Sequence, residues 1–367
     1  SSYARGAVEA LLAPGRARVD PVCAVFGSCG GCAWQHVDYA AQLDAKREIA
    51  AAALRRIGGL ALPEGEALPI TPSPSPYRYR TRSRVLVEAG KVGYRRRRSH
   101  ALAPTSRCPV LVEALEQRLA SLAADPPRCD GEWELVASLG AELPRRDRDG
   151  ELVASLGAEP AARALPLPAA EGPRIWLRVG GDRIGVSPGV FVQSNASLLE
   201  PLARAVAGAA GAGRLALELY CGAGFFTLGL ARSFEQVVAV DANPAAVRDL
   251  EHNLRDAQLA NVRARTAAVE AALDEPELAR LRPDCVVVDP PRAGLGERVA
   301  ARIAALAPAR IVYLSCDPAT LARDLSHLDH RGYALLRAEC FDLFPQTPHV
   351  EVLAVATARS GSGSALD

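Results

Sequence analysis

Residues 310–324 of the chain read Arg-Ile-Val-Tyr-Leu-Ser-Cys-Asp-Pro-Ala-Thr-Leu-Ala-Arg-Asp. The apolar run at 311–314 predicts a buried strand, Ser-Cys-Asp-Pro ends it, and a helical pattern follows. In an open α/β sheet, ligands and chemistry collect beyond the carboxyl ends of such strands. Cys316 therefore lies where a nucleophile is useful, and Asp317 or Thr320 is placed to cap a helix whose positive end favours a thiolate. By position alone, a small core residue is the commoner role for such a cysteine.

A regular alternation of short apolar runs and helical patterns surrounds this stretch. The other predicted strands are residues 215–220, 237–241, 262–264, 285–289, 333–337 and 350–355. Each of the first four is followed by a helical pattern, and the last two are expected to pair as a hairpin. The pattern predicts an α/β fold whose doubly wound, mostly parallel sheet has an antiparallel edge.

Composition bounds the class of protein. The 367 residues are enough for two domains, and 49% hydrophobic residues are typical of a globular chain. The net charge of +1 by itself predicts no class of partner. No apolar run approaches the roughly 18 residues that a membrane helix needs, and the N-terminus has no signal-peptide pattern. We therefore expect a cytoplasmic protein without a membrane partner or an obligate protein partner, and predict a monomer.

Three cysteines crowd together near the N-terminus, at Cys23, Cys29 and Cys32, in a turn rich in glycine. Cys108, which is followed by proline, is the best candidate for a fourth ligand. Four thiolates can hold either zinc or an iron–sulfur cluster, and a compact triplet with one distant cysteine is closer to cluster ligation. The alternative is a set of small core residues without a metal.

Two segments carry most of the clustered arginine. Strict alternation from residue 77 to 84 would place one set of arginines on a single face of a strand, and a turn at residues 89–90 leads to a second set. The arginines are Arg78, Arg80, Arg82, Arg84, Arg95, Arg96, Arg97 and Arg98. A surface with this spacing predicts contacts with the phosphates of a nucleic acid. The alternative is a charged, solvated hairpin.

The remaining N-terminal segments are read from pattern alone. Residues 1–20 look like the last strands of a small β module, residues 39–57 predict an amphipathic helix, and residues 63–76 predict a linker. The stretch Glu-Leu-Val-Ala-Ser-Leu-Gly-Ala-Glu at 134–142 recurs identically at 151–159. We interpret the repeat as a tandem duplication and assign it no chemistry.

The first strand–helix turn of the C-terminal half has the features of a nucleoside site. Gly222 and Gly224 allow the backbone to approach a ligand, and Asp241 ends the next strand, where an acid can bind ribose hydroxyls. A dinucleotide fingerprint would have a third glycine where this chain has Thr227. S-adenosylmethionine is therefore favoured over NAD. Asp289, at the end of the fourth strand in Asp-Pro-Pro-Arg-Ala-Gly, is expected in the same crevice.

Six motifs together resemble the RNA uridine C5-methyltransferases, specifically the iron–sulfur type of 23S rRNA (uracil-5-)-methyltransferase. They are the Cys23–Cys32 run, Ser-Pro-Gly-Val-Phe-Val-Gln-Ser-Asn, Leu-Tyr-Cys-Gly-Ala-Gly, Asp-Pro-Pro-Arg-Ala-Gly, Ser-Cys-Asp-Pro-Ala-Thr-Leu-Ala-Arg-Asp and Phe-Pro-Gln-Thr-Pro-His-Val-Glu. They run collinearly over nearly the whole chain, and the last two are the most specific.

The resemblance implies a Rossmann-like methyltransferase domain at 181–367, a smaller β-rich iron–sulfur and RNA-binding domain at 21–180, and a remnant of an RNA-binding β-barrel at 1–20. Helix 39–57 is expected on the catalytic domain. The resemblance also implies a [4Fe–4S] cluster on Cys23, Cys29, Cys32 and Cys108, with Cys316 as nucleophile and Glu351 as base. The residues expected at S-adenosylmethionine are Gln193, Tyr220, Gly222, Gly224, Phe225, Asp241 and Asp289.

Two departures from the family pattern affect the cofactor site, because Phe225 and Ala268 stand where polar residues are usual. The expected activity is methyl transfer to C5 of a uridine in RNA, with 23S rRNA favoured. Two alternatives remain at this point. One is a methyltransferase that acts on tRNA, and the other is a non-catalytic RNA-binding protein that retains the fold.

Overall fold

The computed structural model describes residues 9–62, 67–138, 162–166 and 174–359. Its helices are α1 (Tyr39–Arg56), α2 (Glu113–Ala124), α3 (Leu199–Ala210), α4 (Thr227–Ser233), α5 (Pro244–Asp256), α6 (Val269–Asp274), α7 (Pro276–Ala279), α8 (Gly296–Ala305) and α9 (Pro318–Asp329). Its strands are β1 (Ile70–Thr71), β2 (Arg82–Glu88), β3 (Lys91–Arg95), β4 (Leu102–Pro104), β5 (Gly131–Ala137), β6 (Ala162–Pro166), β7 (Ile175–Val179), β8 (Asp182–Val186), β9 (Gly213–Leu219), β10 (Phe234–Asp241), β11 (Val262–Thr266), β12 (Cys285–Val288), β13 (Arg310–Ser315), β14 (Tyr333–Phe341) and β15 (Glu351–Ala358).

The largest sheet has eight strands in the order β1-β14-β15-β13-β12-β9-β10-β11. Strands β9 to β13 are parallel to their neighbours among themselves, whereas β15 is antiparallel to both β13 and β14. The predicted mixed α/β sheet with an antiparallel hairpin at its edge is therefore confirmed. Within the described residues no helix is both long and apolar enough to cross a bilayer.

Both faces of the central strands are covered, which explains their continuous apolar sequence. Along β13, Ile311 and Tyr313 belong to a core shared with α1 and α6 to α9, whereas Val312 and Leu314 belong to a core shared with α3 and α4. Successive side chains of a strand point to opposite faces, so one apolar run serves both layers. The layers fix the carboxyl end of β13, where Cys316 follows.

A second, five-stranded antiparallel sheet has the order β4-β3-β2-β5-β6, and α2 packs against it. Its strand β2 begins at Arg82, five residues later than the alternation suggested. Arg78 has a left-handed φ of 53°, which interrupts an extended backbone. The expectation that four arginines share one face of a single strand is therefore wrong.

Two N-terminal elements belong to the large sheet and its core. Strand β1 lies in the predicted linker and pairs in parallel with β14, Ile70 opposite Cys340. Helix α1 packs on one face of the large sheet through Leu54. Its buried face nevertheless differs from the expected apolar one, because Lys46 is fully buried while Ile49 is 39% exposed.

The boundary expected between 180 and 181 falls inside the antiparallel hairpin of β7 and β8. This hairpin packs with α5 and the start of α3 through residues such as Leu177, Ile184 and Leu250. Residues on both sides of the expected boundary therefore pack in one core, and the division into domains stays a prediction.

Two of the sequence expectations fall at least partly outside the described residues. Residues 1–8 and the second copy of the repeat, at 151–159, are not described, and the first copy is described only to residue 138. Residues 9–20 make one isolated bridge, Arg18 with Val37. The assignment of residues 1–20 to a β-barrel stays a prediction.

Candidate active site

Cys316 follows β13 directly and precedes α9. Asp317 caps this helix, since its Oδ1 accepts hydrogen bonds from the backbone N–H groups of Ala319 and Thr320, both at 3.0 Å. The Asp317 N–H in turn donates to Ser315 Oγ at 3.2 Å. The turn is thus fixed on both sides of the half-buried thiol, which lies beside the positive end of a helix.

Glu351 is the first residue of β15 and lies beside the same turn. Ser315 and Val352 are opposite each other in the antiparallel pair, so the residues next to them, Cys316 and Glu351, end adjacent strands at one edge. The Glu351 side chain is buried, and among the described residues its Oε2 has no hydrogen-bond partner. The nucleophile and base implied by the resemblance are therefore brought together.

Burial and neighbouring charge set the acid–base state of these groups. Burial, then the nearby Glu351 carboxylate, raise the pKa of Cys316 to about 11, while the Arg292 guanidinium opposes the increase. Burial, then the charge of Asp289, raise the pKa of Glu351 well above its ordinary value, and Arg292 again opposes. Burial raises the pKa of Asp289 to about 7. Three acidic groups and one cation therefore share this edge.

A small pocket of about 50 Å³ adjoins this edge. The lining residues that the sequence predicted are Gln193, Tyr220, Gly222, Phe225 and Asp289. Gln193 is buried and its Oε1 has no partner among the described residues. A buried acceptor without a partner is costly unless a ligand satisfies it. The pocket therefore has the character of a ligand site.

The turn after β9 has the tight backbone that the two glycines suggested. Tyr220, Gly222 and Gly224 have φ values of 63°, 54° and 92°. At Gly224 a Cβ would lie 2.5 Å from Leu250 Cδ1, so a side chain does not fit. Asp241 Oδ2 accepts a hydrogen bond from Gly222 N–H at 2.8 Å, which joins the acid to the glycine turn. Neither Gly224 nor Asp241 lines the pocket itself.

A second, larger cavity of about 660 Å³ is lined by Cys23, Cys29, Cys32 and Cys108. Burial raises the pKa of Cys32 to about 11, and the charges of the other three cysteines contribute to the increase. The four thiols are therefore close enough to interact electrostatically. Among the described residues, no group of three or more His, Cys, Asp or Glu side chains is arranged to hold a metal ion.

The eight arginines have different surroundings. Arg82 forms a two-pronged ion pair with the buried Glu134, at 2.7 and 2.9 Å, and is itself mostly buried. Arg78 lies near Glu113 and Glu116, Arg95 pairs with Glu132, and the side chain of Arg96 donates to Leu102 O. Arg80 is partly buried and donates to Arg82 O. Arg84, Arg97 and Arg98 are exposed and make no ion pair with another described residue.

The arginine-rich segment 95–98 is joined to the cysteine-containing loop 23–32 by backbone hydrogen bonds. Gly30 N–H donates to Arg95 O at 3.0 Å, and Arg97 N–H donates to Ser28 O at 2.9 Å. Arg80, Arg84, Arg95, Arg96 and Arg98 also line the cysteine cavity. The basic surface and the cysteine cavity are therefore one continuous feature.

Two residues of this region were missed by sequence reasoning. Arg292 lies in the quoted motif Asp-Pro-Pro-Arg, and its position three residues after Asp289 was the available signal. Glu218 is buried on β9, where burial raises its pKa to about 8, and its Oε2 has no partner among the described residues. A lone acid within an apolar strand, next to the glycine turn, was the signal for Glu218.

Comparison with known proteins agrees with this geometry. Residues 183–358 match the tRNA (uracil-5-)-methyltransferase family. An uncharacterized RNA methyltransferase of Gloeobacter violaceus is 33% identical, over 92% of this chain and 82% of its own length. The 23S rRNA (uracil(1939)-C(5))-methyltransferase RlmD of Alkalilimnicola ehrlichii is 34% identical, over 96% of this chain and 86% of its own length.

A solved structure extends the similarity to the fold. The crystal structure of Pyrococcus abyssi tRNA (uracil-54, C5)-methyltransferase in complex with S-adenosyl-L-homocysteine is 25% identical and superposes with a TM-score of 0.69. The match covers 95% of this chain and 88% of that chain. The resemblance seen in the motifs is thus confirmed over most of the sequence, and the chain belongs to the RNA (uracil-5-)-methyltransferase family.

Proposed function

We propose that this protein transfers a methyl group from S-adenosylmethionine to C5 of a uridine in 23S rRNA, with Cys316 as covalent nucleophile and Glu351 as general base. The observation that carries the proposal is the adjacency of these two residues at the ends of β13 and β15, beside the cofactor pocket. The name and extent of the RlmD relative support the choice of RNA.

Uracil C5 is too weak a nucleophile to accept a methyl group unaided. The Cys316 thiol first loses its proton to solvent, and its sulfur then adds to C6, so that the C5–C6 π electrons move onto O4 as an enolate. S-adenosylmethionine supplies the methyl group: C5 bonds to the methyl carbon, and the electron pair of the broken carbon–sulfur bond stays on the sulfur of S-adenosylmethionine. Glu351 removes the C5 proton, the C5=C6 bond re-forms, and the bond to Cys316 breaks.

The residues of the pocket fit S-adenosylmethionine. Gln193 offers an unsatisfied acceptor, and Asp289 offers a carboxyl whose ionised form attracts a cation. Asp241 borders the glycine turn, where ribose hydroxyls are expected. Because the enclosed volume is small, the cofactor would extend from the pocket into the open crevice. The ring of Phe225 packs edge-on against that of Phe226, with the ring centroids 4.8 Å apart, and would supply an apolar contact to the cofactor.

The four cysteines fit a [4Fe–4S] cluster better than one zinc ion. A single ion needs its ligands drawn to one point, whereas a cluster places its own iron and sulfide atoms between the cysteine sulfurs. The thiols line one roomy cavity, and bound iron would offset the mutual repulsion of their charges. Methyl transfer is not a redox reaction, so a cluster bound here would serve structure or RNA binding rather than electron transfer.

The RNA would lie across the basic surface. Arg84, Arg97 and Arg98 are exposed and would contact phosphates, with Arg80, Arg95 and Arg96 beside the cavity. Phe191 is 69% exposed and lies between the cysteine cavity and the cofactor pocket, where its ring can stack on an unpaired base. Arg78 and Arg82 are engaged by acids, and they would shape this surface more than contact RNA.

The decisive experiment compares the wild-type protein with Cys316→Ala on a 23S rRNA fragment and on tRNA, with mass mapping of the product. The proposal expects 5-methyluridine in the rRNA fragment only with the wild type. Normal methylation by Cys316→Ala would contradict covalent catalysis. Methylation of tRNA alone would favour the substrate named for the Pyrococcus abyssi structure.

A further inference from the structure

The loop from Asp342 to Val350, between β14 and β15, immediately precedes Glu351, the residue proposed as the base. Loops usually run over the surface, with their carbonyls in contact with water. This one is buried: Asp342 is fully buried, and Gln346 is 2% exposed. Gln346 also has a left-handed φ of 68°, which costs a non-glycine residue about 1–2 kcal/mol and persists only where the surroundings enforce it.

Four consecutive carbonyls of the loop accept hydrogen bonds from donors on other segments. The donors are Asn195 Nδ2 to Leu343 O at 3.3 Å, Lys46 Nζ to Phe344 O at 2.9 Å, Tyr79 OH to Pro345 O at 3.0 Å, and the N–H groups of Ala33 and Trp34 to Gln346 O, both at 3.0 Å. The main chain of the loop is therefore fixed from outside at every residue of this run.

Helix α1 supplies the side chains that complete this frame. Gln42 and Lys46 are one helical turn apart and both are fully buried. The amide of Gln42 binds Gln346 twice, accepting from its N–H at 2.9 Å and donating to its Oε1 at 3.1 Å. Lys46 forms an ion pair with Asp342, whose other oxygen accepts from Tyr39 OH at 2.8 Å.

Such a pair is a poor source of stability. Taking both charges of Lys46 and Asp342 out of water offsets most of their attraction, and an apolar pair of the same size is often as stable. What a buried, fully bonded pair does provide is a single geometry. Here that geometry fixes the start of the loop, nine residues before Glu351.

We infer that Gln42 and Lys46 are positioning residues for methyl transfer, because they hold the 342–350 loop so that Glu351 faces the C5 proton. The inference rests on the roles proposed above for Cys316 and Glu351. Cys316 is fixed separately, by β13 and the Asp317 cap of α9. Loss of the frame should therefore impair proton removal, which is the last step, more than the attack of sulfur on C6.

The two steps can be separated by the covalent adduct. When the base is missing, the methylated ring keeps its C5 proton and stays bonded to Cys316, so that RNA remains attached to denatured protein. Glu351→Gln serves as the reference for this behaviour. The test variants are Lys46→Met and Gln42→Ala, and the control is Arg55→Met, which removes a charge from the exposed face of the same helix.

In single-turnover reactions with uridine-containing RNA and S-adenosylmethionine, we expect Lys46→Met to accumulate the adduct and to release product about a hundredfold more slowly, as a misplacement near 1 Å can cause. We expect Gln42→Ala to show a smaller effect in the same direction. Arg55→Met should match the wild type. Slower turnover of folded Lys46→Met without adduct would overturn the inference.

A second measurement keeps the test valid if Lys46→Met is poorly stable. Amide hydrogen exchange should increase in the 342–350 peptide of Gln42→Ala while the β9 peptide stays protected. Unchanged exchange in that loop would also overturn the inference. If Glu351→Gln itself accumulates no adduct, the proposed chemistry fails instead, so the two failures are distinguishable.

Discussion

Burial and, next in size, the neighbouring carboxylate of Glu351 raise the pKa of the Cys316 thiol to about 11. The free protein therefore keeps the proposed nucleophile protonated at neutral pH. A protonated thiol reacts slowly with oxidants and alkylating agents, because the thiolate is the reactive form. The arrangement also makes the thiol a sensitive reporter of the charges around it.

Alkylation of Cys316 should respond in opposite directions to two substitutions. Glu351→Gln removes a negative neighbour, lowers the pKa of the thiol, and should speed its reaction with iodoacetamide at pH 8 by roughly threefold or more. Arg292→Gln removes a positive neighbour and should slow the reaction by a similar factor. Peptide mass spectrometry measures the rates, with exposed Cys129 as the internal standard. Equal rates in all three proteins would contradict the electrostatic account.

Binding of S-adenosylmethionine should strengthen with pH through Asp289. Burial raises the pKa of this carboxyl to about 7, so the group is neutral at pH 6 and ionised at pH 8. The ionised form attracts the cationic cofactor, and affinity should rise by up to about tenfold between these pH values. Titration calorimetry measures the change, and Asp289→Asn should remove most of it. A wild-type affinity that does not vary with pH would contradict the role of Asp289.

Two arginines of the basic surface should separate stability from RNA binding. Arg82→Met leaves the buried carboxylate of Glu134 without its partner and should cost about 3–5 kcal/mol in denaturant unfolding. Arg97→Met should change the free energy of unfolding by less than about 0.5 kcal/mol but lower the salt dependence of RNA binding by about one charge. The reverse pattern would show that the two roles are assigned wrongly.

Removal of the proposed cluster should loosen the 342–350 loop. Cys32 directly precedes Ala33 and Trp34, whose N–H groups hold Gln346 O. We expect oxidation and chelation of the iron to raise amide exchange in the loop by roughly tenfold or more while β9 stays protected. Mass spectrometry of protein prepared without oxygen provides the reference. Identical amide exchange with and without iron would show that the cluster does not stabilise the loop.

The strand, turn and helix around Cys316 were predictable because their signals are local. A continuous apolar run, an abrupt polar stop and a capping aspartate all lie within fifteen residues. The proximity of Glu351 came from the resemblance, since its strand is separated from β13 by the whole of α9 and β14. No turn joins these two strands, so turn geometry could not indicate their register in advance.

The partners of charged residues were not predictable. The arginine run contains few acids, but acids from β5 and α2 reach Arg82 and Arg78 in the folded chain. From the sequence, Gln42 and Lys46 would be placed on the solvent-exposed face of α1, because lysine is rarely fully buried unless it is paired. The partner that reverses this expectation, Asp342, is 296 residues away.

Because of that separation, the chain can become catalytically competent only after the 342–350 loop has been synthesised. During synthesis, α1 emerges long before the loop that it contacts, because Asp342 lies 296 residues after Lys46 and Gln346 lies 304 residues after Gln42. Non-local closure of this kind is slow and comes late in folding. A truncated or nascent polypeptide with every cysteine in place would still lack the ordered loop, so it could hold RNA without being able to finish a reaction on it.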